Sequence, residues 1–178
     1  GNTLVELKNQ GKAKFIAGAD IHRQSIEKAK KVLNKAICTD IEKTRLPFRS
    51  QHFDYIILAD VLEHLVEPEI VLEKLKKYLT STGFFIISLP NIRNIKIIQK
   101  LIFQDSWQYQ DKGILDRSHL RFFTKGSAIE MFKKLDLKIV EIGNNTPELN
   151  KPHRLIDFMT GGKLKPFYTV QWLFKLSF

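Results

Sequence analysis

The chain has 178 residues, of which 43% are hydrophobic and 27% charged, a composition ordinary for one soluble globular domain. Its lone cysteine, Cys38, excludes an internal disulfide framework and a cysteine-based zinc site. No apolar run approaches the roughly 20 residues of a membrane-spanning helix, and the first residues do not resemble a signal peptide. We therefore expect a cytoplasmic protein.

The net charge of +10 is unevenly distributed along the chain. Residues 1–89 contain 14 Lys/Arg against 11 Asp/Glu, whereas residues 90–178 contain 15 against 8. A basic second half suits an anionic substrate, a nucleic acid or a membrane surface. Solvated lysine faces on amphipathic helices are the competing explanation, and charge alone favours them.

The first 90 residues alternate short apolar runs with helical patterns, which is typical of βαβ units and a parallel sheet. The segment 83–89 (GFFIISL) is continuously apolar, which predicts a central strand covered on both faces. Gly83 is expected to end the turn before it. The other predicted elements are strands at 15–19, 36–39 and 53–58 and helices at 24–33 and from Pro68 onward.

The second half of the chain adds further elements and two irregular segments to the same domain, 1–178. Thr124 is a plausible N-cap for a helix through Leu135, followed by a strand at 138–142 and an antiparallel last strand at 170–176. Residues 91–123 are rich in aromatic and polar side chains, and residues 144–167 in proline and glycine. Segments of this kind often form lids, so we expect them to bind the substrate.

Ligands of open α/β sheets bind beyond the carboxyl ends of the strands, where this sequence places acidic residues. Asp20 follows the first predicted strand, and its carboxylate can accept hydrogen bonds from the two hydroxyls of a ribose. Asp40 follows the next strand, where it can accept from an adenine amine while Ile41 packs on the ring. A solvated or turn-capping aspartate explains either residue equally well when taken alone.

The segment 53–65, FDYIILADVLEHL, ends a further strand and gathers Asp60, Glu63 and His64 within about one helical turn. It resembles the fourth-strand region of class I S-adenosylmethionine-dependent methyltransferases, and its spacing to the upstream aspartates and to Gly83 is also similar. The resemblance implies S-adenosyl-L-methionine as cofactor and a Rossmann-like three-layer α/β sandwich with a mostly parallel sheet and an antiparallel last strand. The cofactor-binding residues implied are Gly1, Asn2, Asp20, Ile21, Asp40, Ile41, Ala59, Asp60, Val61 and His64.

The resemblance also bears on the start of the chain. In that family the first strand and its glycine-rich loop precede the position of Leu4, so the first strand is expected to be missing from this sequence. Gly1 and Asn2 look like the end of such a loop or a cloning remnant. A parallel sheet without its central strand would leave backbone groups unpaired, so we expect a truncation or an N-terminal extension of the natural protein.

The segment 109–124, YQDKGILDRSHLRFFT, resembles a methyltransferase subgroup often encoded beside enzymes of sugar transfer and cell-envelope polysaccharide synthesis. Its polar residues are too closely spaced for core periodicity, so we interpret it as an active-site element. The resemblance implies O- or N-methylation of a sugar, nucleotide sugar or other small anionic acceptor. A lipid-linked or quinone-like acceptor remains open, given aromatic residues such as Trp107. No nucleic-acid partner is expected, and the oligomeric state is not predicted.

An oxygen acceptor benefits from a general base, for which a histidine is the simplest choice near neutral pH. His119 is the preferred base, His64 is assigned a shaping role, and Asp116 belongs to the same active-site element. No resident metal is assigned. Packed or surface histidines are the competing explanation for both.

Three alternatives use the same residues differently. Asp60, Glu63, His64 and His119 are similar to the magnesium site of small-RNA 3′-end methyltransferases, which would give a metal-dependent enzyme acting on RNA. The second alternative is a non-catalytic nucleotide-binding module, although such a module would have little use for the segment 109–124. An NAD-dependent oxidoreductase is disfavoured because no Tyr-x-x-x-Lys pairing is present.

Overall fold

The computed structural model describes residues 2–147 and 160–178, and it gives only the backbone of residues 2 and 3. By internal contacts these residues divide into two units, Gly1–Pro47 (unit 1) and Phe48–Phe178 (unit 2). Among the described residues, no helix has the length and apolarity needed to cross a bilayer.

Unit 1 contains two short parallel strands and two helices. The elements in chain order are α1 (Asn2–Asn9), β1 (Ala17–Asp20), α2 (Arg23–Ala29) and β2 (Lys35–Cys38). β1 and β2 pair in parallel with Asp20 opposite Cys38. Gly18 suits this packing because a Cβ atom there would lie 2.8 Å from the Leu33 side chain.

The predicted elements of unit 1 exist, but several of their bounds differ. The strand predicted at 15–19 begins two residues later, so Asp20 is its last residue instead of following it. The helix predicted at 24–33 ends at Ala29. The helix α1 was not predicted, because its few apolar residues give a weak periodic pattern.

Unit 2 contains a four-stranded sheet with the order β3-β4-β6-β5. β3 and β4 are parallel, and the last strand, β6, lies antiparallel between β4 and β5. The elements are β3 (Phe53–Ala59), a 3₁₀ helix (Leu62–His64), α3 (Pro68–Lys76), β4 (Leu79–Pro90), α4 (Ile95–Gln104), α5 (Lys125–Lys134), β5 (Lys138–Asn145), α6 (Lys165–Tyr168) and β6 (Gln171–Ser177).

The core of unit 2 is built where α5 packs beside β5 and β6. Phe132 and Phe174 are fully buried and meet edge to face with ring centroids 5.1 Å apart. Thr124 caps α5 as predicted, because its hydroxyl accepts from Ser127 N while the Ser127 hydroxyl accepts from Thr124 N.

Two expectations for β4 need correction. The strand begins at Leu79, so Gly83 lies inside it and does not end a turn before it. Phe85 and Ile87 are fully buried, whereas Phe84 and Ile86 are only half-buried, so the two faces of this strand are unequally covered. A continuous apolar run therefore overstates burial where one face is not fully covered.

Among the described strands, β1 pairs only with β2 and β3 pairs only with β4. The described strands therefore form two sheets, one in each unit. The mixed α/β class, with parallel pairs and an antiparallel last strand, is confirmed. The predicted insertions are partly regular, since residues 91–123 contain α4 and residues 144–167 include most of α6, while 148–159 lie outside the described residues.

Candidate functional site

In unit 1, Asp20 and Asp40 lie at the carboxyl ends of two adjacent parallel strands. Asp20 ends β1, and its backbone carbonyl accepts from Thr39 N at 2.9 Å, one residue before Asp40. Asp20 Oδ1 accepts from His22 N at 2.7 Å. The structure thus brings together the two aspartates that the sequence proposed for the nucleoside.

Asp40 is held in a tight turn that stabilises its charged form. Its Oδ1 atom accepts from Glu42 N at 2.9 Å, and Lys43 Nζ lies 3.4 Å from Oδ2. The Glu42 backbone N–H, followed by Lys43, holds the pKa of Asp40 below its usual range. Asp40 is therefore a carboxylate acceptor at neutral pH, as an adenine amine requires.

The apolar and N-terminal residues of the predicted cofactor site differ in their exposure and in how far the structure describes them. Ile21 is 60% exposed, and Ile41 is half-buried. Asn2 is the first residue of α1, but its side chain is not described. Gly1 lies outside the described residues, so its predicted role stays untested.

In unit 2, Asp60 follows Ala59 at the end of β3 and links three strands. Its backbone is left-handed, with φ of 53°. Asp60 N donates to Ser88 Oγ at 3.1 Å, and Ser88 Oγ donates to Asp60 Oδ1 at 3.0 Å. Gln171 Nε2, at the start of β6, donates to the same oxygen. Asp60 is therefore positioned by β4 and β6, partners that are distant in sequence and that we did not predict.

Val61 precedes the 3₁₀ helix that carries Glu63 and His64, and this helix is tied to the segment 109–124. The backbone carbonyl of Glu63 accepts from Leu120 N at 2.8 Å and from Arg121 N at 3.0 Å. Arg121 also donates through its guanidinium to the carbonyl of Val66. These bonds place His119 beside His64, with ring centroids 4.8 Å apart.

Both histidine rings lie with Nδ1 close to a backbone carbonyl. His64 Nδ1 lies 3.1 Å from the Ser118 carbonyl, and His119 Nδ1 lies 3.1 Å from the Ile114 carbonyl. Because a carbonyl oxygen can only accept, each Nδ1 must be the protonated donor. In the neutral rings the lone pair is therefore on Nε2, the atom that could accept a proton or bind a metal.

Glu63 is the buried group of this cluster, with 1% of its surface exposed. Within the described part of the chain, neither of its carboxylate oxygens has a hydrogen-bond partner. Burial, with a smaller contribution from the charge of Asp60, raises the pKa of Glu63 to about 8. Ligand atoms of Glu63, His64 and His119 lie within 4.8 Å of one another, so these three residues could hold a metal ion.

Asp116 organises the turn that precedes His119. Its Oδ1 atom accepts from the backbone N–H of Ser118 at 2.8 Å and from the Ser118 hydroxyl, and its carbonyl accepts from His119 N at 3.0 Å. The Ser118 hydroxyl, followed by the Ser118 backbone N–H, holds the pKa of Asp116 below its usual range. A carboxylate of this kind is a weaker base than an ordinary aspartate, which favours a positioning role.

A basic groove of about 270 Å³ lies beyond the end of β4 in unit 2. Two of its residues are cationic: Arg93 lies over the Phe167 ring at 4.3 Å, and Lys125 lies over the Trp172 ring at 5.1 Å. The other lining residues are Asn91, Thr124, Gly126, Ile129, Pro166 and Trp172. The sequence did not predict this groove, because its members come from four separate segments of the chain.

Unit 1 also has an open cavity of about 450 Å³ between α2 and β2. None of the predicted site residues lines it. We assign it no role.

Comparisons with known proteins identify similar methyltransferases. Residues 1–87, just under half of the chain, match a family model described as a methyltransferase domain. Comparison with curated proteins gives no significant match. A SAM-dependent methyltransferase from Archaeoglobus fulgidus is similar over 99% of this chain and 80% of its own, with 15% identity and a TM-score of 0.71. An S-adenosylmethionine-dependent methyltransferase from Mesorhizobium loti is similar over 97% and 84%, with 11% identity and a TM-score of 0.63.

The chain therefore has the fold of S-adenosylmethionine-dependent methyltransferases, and its first half is similar to a methyltransferase family. The predicted Rossmann-like fold is confirmed. The predicted cofactor, S-adenosyl-L-methionine, agrees with the methyltransferase family model and with the SAM-dependent methyltransferases that share this fold. The polysaccharide-associated subgroup, the missing first strand and the individual site residues stay predictions.

Proposed function

We propose that this chain transfers the methyl group of S-adenosylmethionine to an oxygen, or a nitrogen, of a small anionic acceptor such as a sugar or nucleotide sugar. The main support is the placement of Asp20 and Asp40 at the ends of neighbouring strands, within the segment that matches the methyltransferase family. Such carboxylates suit a nucleoside because they accept from hydroxyl and amine donors.

In this proposal unit 1 recognises the adenosine. Asp20 accepts from the ribose hydroxyls, Asp40 accepts from the adenine amine, and Ile21 and Ile41 contact the ring. Each aspartate is pre-oriented, because a backbone N–H two residues later already bonds one of its oxygens. Pre-orientation lowers the entropy lost when the nucleoside binds.

The transfer itself is an in-line displacement. The acceptor oxygen forms a bond to the methyl carbon, the carbon–sulfur bond breaks, and its electrons neutralise the sulfonium to a thioether. The acceptor proton passes to a base, for which we propose Nε2 of His119. His64 shapes the site beside it, and Asp116 positions His119 through the turn at Ser118.

An anionic acceptor is supported by the basic groove. Arg93 and Lys125 line a cavity large enough for a phosphate or carboxylate group and supply two cations to it. Both are fixed over aromatic rings, which limits their loss of side-chain freedom on binding. The identity of the acceptor as a sugar derivative rests on the resemblance of the segment 109–124.

Titration calorimetry with S-adenosylhomocysteine and with NAD tests the cofactor half of the proposal. We expect S-adenosylhomocysteine to bind and NAD not to bind. Asp20→Ala should weaken the binding of S-adenosylhomocysteine by about 10–100-fold, since it removes charge-assisted hydrogen bonds. The exposed Glu27→Gln variant of the same unit, which removes only an ion pair with Lys30, serves as control. Equal affinities for NAD and S-adenosylhomocysteine would refute the proposal.

A second candidate, metal-assisted methyl transfer, is favoured by the cluster of Glu63, His64 and His119. Its specific support is a buried carboxylate without hydrogen bonds beside two histidines whose Nε2 atoms carry the lone pair. Two imidazoles and one carboxylate suit a divalent first-row transition-metal ion. A bound ion supplies Lewis-acid polarisation of an acceptor oxygen, and both histidines then serve as ligands. Sensitivity of methyl transfer to EDTA separates the two versions.

A further inference from the structure

The last turn of α4 is uncovered although it is strongly apolar. Leu101, Ile102 and Phe103 are 44%, 67% and 78% exposed. Successive residues of an α-helix point about 100° apart, so the exposure of three in a row means that this turn is open on several sides. Within the described part of the chain, no residue of α4 is buried.

The helix is nevertheless firmly anchored at its other end. Asn94 is buried, its Oδ1 atom caps the helix by accepting from Lys96 N at 3.1 Å, and its Nδ2 atom donates to the Thr169 carbonyl at 3.1 Å. Asp105 ends the helix in a left-handed conformation, with φ of 45°. α4 is thus a capped helix held at its start, and its apolar final turn lies at the surface.

The charges around α4 identify what this surface fits. Lys96 and Lys100 are one turn apart on the helix, and the region 90–178 contains 15 basic against 8 acidic residues. Two copies of a chain with a net charge of +10 repel each other, which disfavours self-association through this helix. Apolar side chains flanked by lysines instead match a bilayer surface that contains anionic lipid.

Two exposed aromatic residues follow the helix and suit the same environment. Trp107 is 38% exposed and Tyr109 is exposed, and both have an apolar ring with a polar hydrogen-bonding group. Trp and Tyr side chains of this kind concentrate where a bilayer meets water.

We propose that α4 docks this protein on the surface of an anionic membrane, with Leu101, Ile102 and Phe103 inserted among the acyl chains and Lys96 and Lys100 at the headgroups. The proposal goes beyond methyl transfer and does not depend on it, because docking needs neither cofactor nor acceptor. Docking of this kind needs no membrane-spanning helix.

The test is sedimentation of the whole chain with phosphatidylcholine vesicles that contain either no or about a third phosphatidylglycerol. We expect binding only to the anionic vesicles and weaker binding at high salt. The double variant Ile102→Ser/Phe103→Ser should lower vesicle affinity by at least about 10-fold, since two apolar side chains no longer insert. Lys96→Glu/Lys100→Glu should lower it by a similar factor.

Matched controls separate docking from general stickiness. Ile70→Ser removes an apolar residue of α3 that is 60% exposed, and Lys133→Glu/Lys134→Glu reverses the charge of two exposed lysines at the end of α5. Both variants should bind vesicles like the parent. Insertion should also shift the fluorescence of Trp107 to shorter wavelength, whereas Trp172 is already buried.

Failure to bind anionic vesicles while the protein remains folded by circular dichroism overturns the proposal, as does equal loss in the control variants. If sedimentation velocity shows a dimer that the Ile102→Ser/Phe103→Ser variant no longer forms, the surface binds a second copy of the chain instead. S-adenosylhomocysteine binding, measured on the same samples, reports the proposed function separately.

Discussion

Nε2 of His119 lies 4.0 Å from Oε1 of Glu63, and both side chains are buried. This separation is too long for a hydrogen bond, so the two groups face each other without satisfying one another. A buried carboxylate in this position must either be protonated or be neutralised by something between the groups. The two possibilities make different predictions, one for the metal-free protein and one for the protein with metal.

For the metal-free protein we predict that Glu63 makes stability fall as pH rises. Its pKa of about 8 in the folded state exceeds the value of 4.5 expected when unfolded, so the folded state holds the extra proton between these values. The free energy of unfolding should therefore decrease by up to about 1.4 kcal/mol per pH unit from this group, with the full cost reached above about pH 8. Glu63→Gln should remove this slope in urea denaturation with EDTA present.

The exposed Glu69→Gln variant on α3 is the matched control and should keep the parental slope. Parallel pH profiles for Glu63→Gln and the parent would show that Glu63 does not hold a proton in the folded state.

For the protein with metal we predict one tight site for Co²⁺, which Zn²⁺ displaces. The ligand atoms lie within 4.8 Å of one another and must move closer together to bind one ion, because zinc-to-nitrogen bonds measure about 2.0–2.1 Å. Glu63→Gln and His119→Gln should each weaken Co²⁺ by about 100-fold or more, as followed by its visible absorption. His22→Gln removes an exposed histidine and should have no effect.

X-ray absorption of the zinc-loaded parent gives a second measurement that needs no variant. Scattering from two imidazole rings is expected. A spectrum without imidazole, or Co²⁺ affinity unchanged in both variants, would leave metal-independent transfer with His119 as base.

Sequence reasoning located the chemical groups of unit 2 better than their partners. Glu63 and His64 could be singled out because they follow a strand end in a segment that resembles a methyltransferase motif, and His119 because the polar residues of 109–124 are too closely spaced for a core pattern. Their relationship could not, because it depends on the carbonyl of Glu63 accepting from Leu120 and Arg121, far along the chain. Similarly, Asp60 was identified, but its partner Gln171 is contributed by β6 through antiparallel pairing.

The fold was predictable where apolar runs are strong, and less predictable where contacts between distant residues determine the structure. The parallel pairs and the capped helix at Thr124 followed from local pattern. α4 was missed because a polar and aromatic segment around it suggested a lid, although Ile95, Ile98 and Ile102 have helical spacing. β4 was predicted too short, since Thr80 to Thr82, near its start, are polar.

We predict that Arg121 holds His119 in place through the carbonyl of Val66. Arg121→Ala removes both guanidinium donors, Nε and Nη2, from that carbonyl, at a local cost of about 1–2 kcal/mol. Amide hydrogen exchange of residues 116–121 should become faster by about 5–30-fold, with little change elsewhere. Arg117→Ala, which removes only an exposed ion pair with Asp111, is the control. Unchanged exchange at 116–121 would show that the two backbone bonds to Glu63 suffice.

We finally predict that the basic groove binds phosphate-bearing compounds through Arg93 and Lys125. Pyrophosphate is a suitable probe, because it offers several charged acceptors without presupposing a sugar. Arg93→Ala and Lys125→Ala should each weaken it by about 10-fold or more, and Arg93→Lys should lie between because it keeps the charge but loses the planar fork. Lys125→Ala should also change the fluorescence of Trp172, over whose ring the ammonium lies.

The control for the groove is Lys133→Ala, which removes an equal charge from the exposed end of the same helix. If the affinity for pyrophosphate falls equally in this variant, pyrophosphate binding depends on net charge and not on the groove. If the groove binds the acceptor, Arg93→Ala should raise KM for a phosphorylated acceptor while leaving kcat nearly unchanged, because a phosphate remote from the reacting oxygen contributes equally to ground state and transition state. A fall in kcat at constant KM would instead place Arg93 beside the reacting atoms.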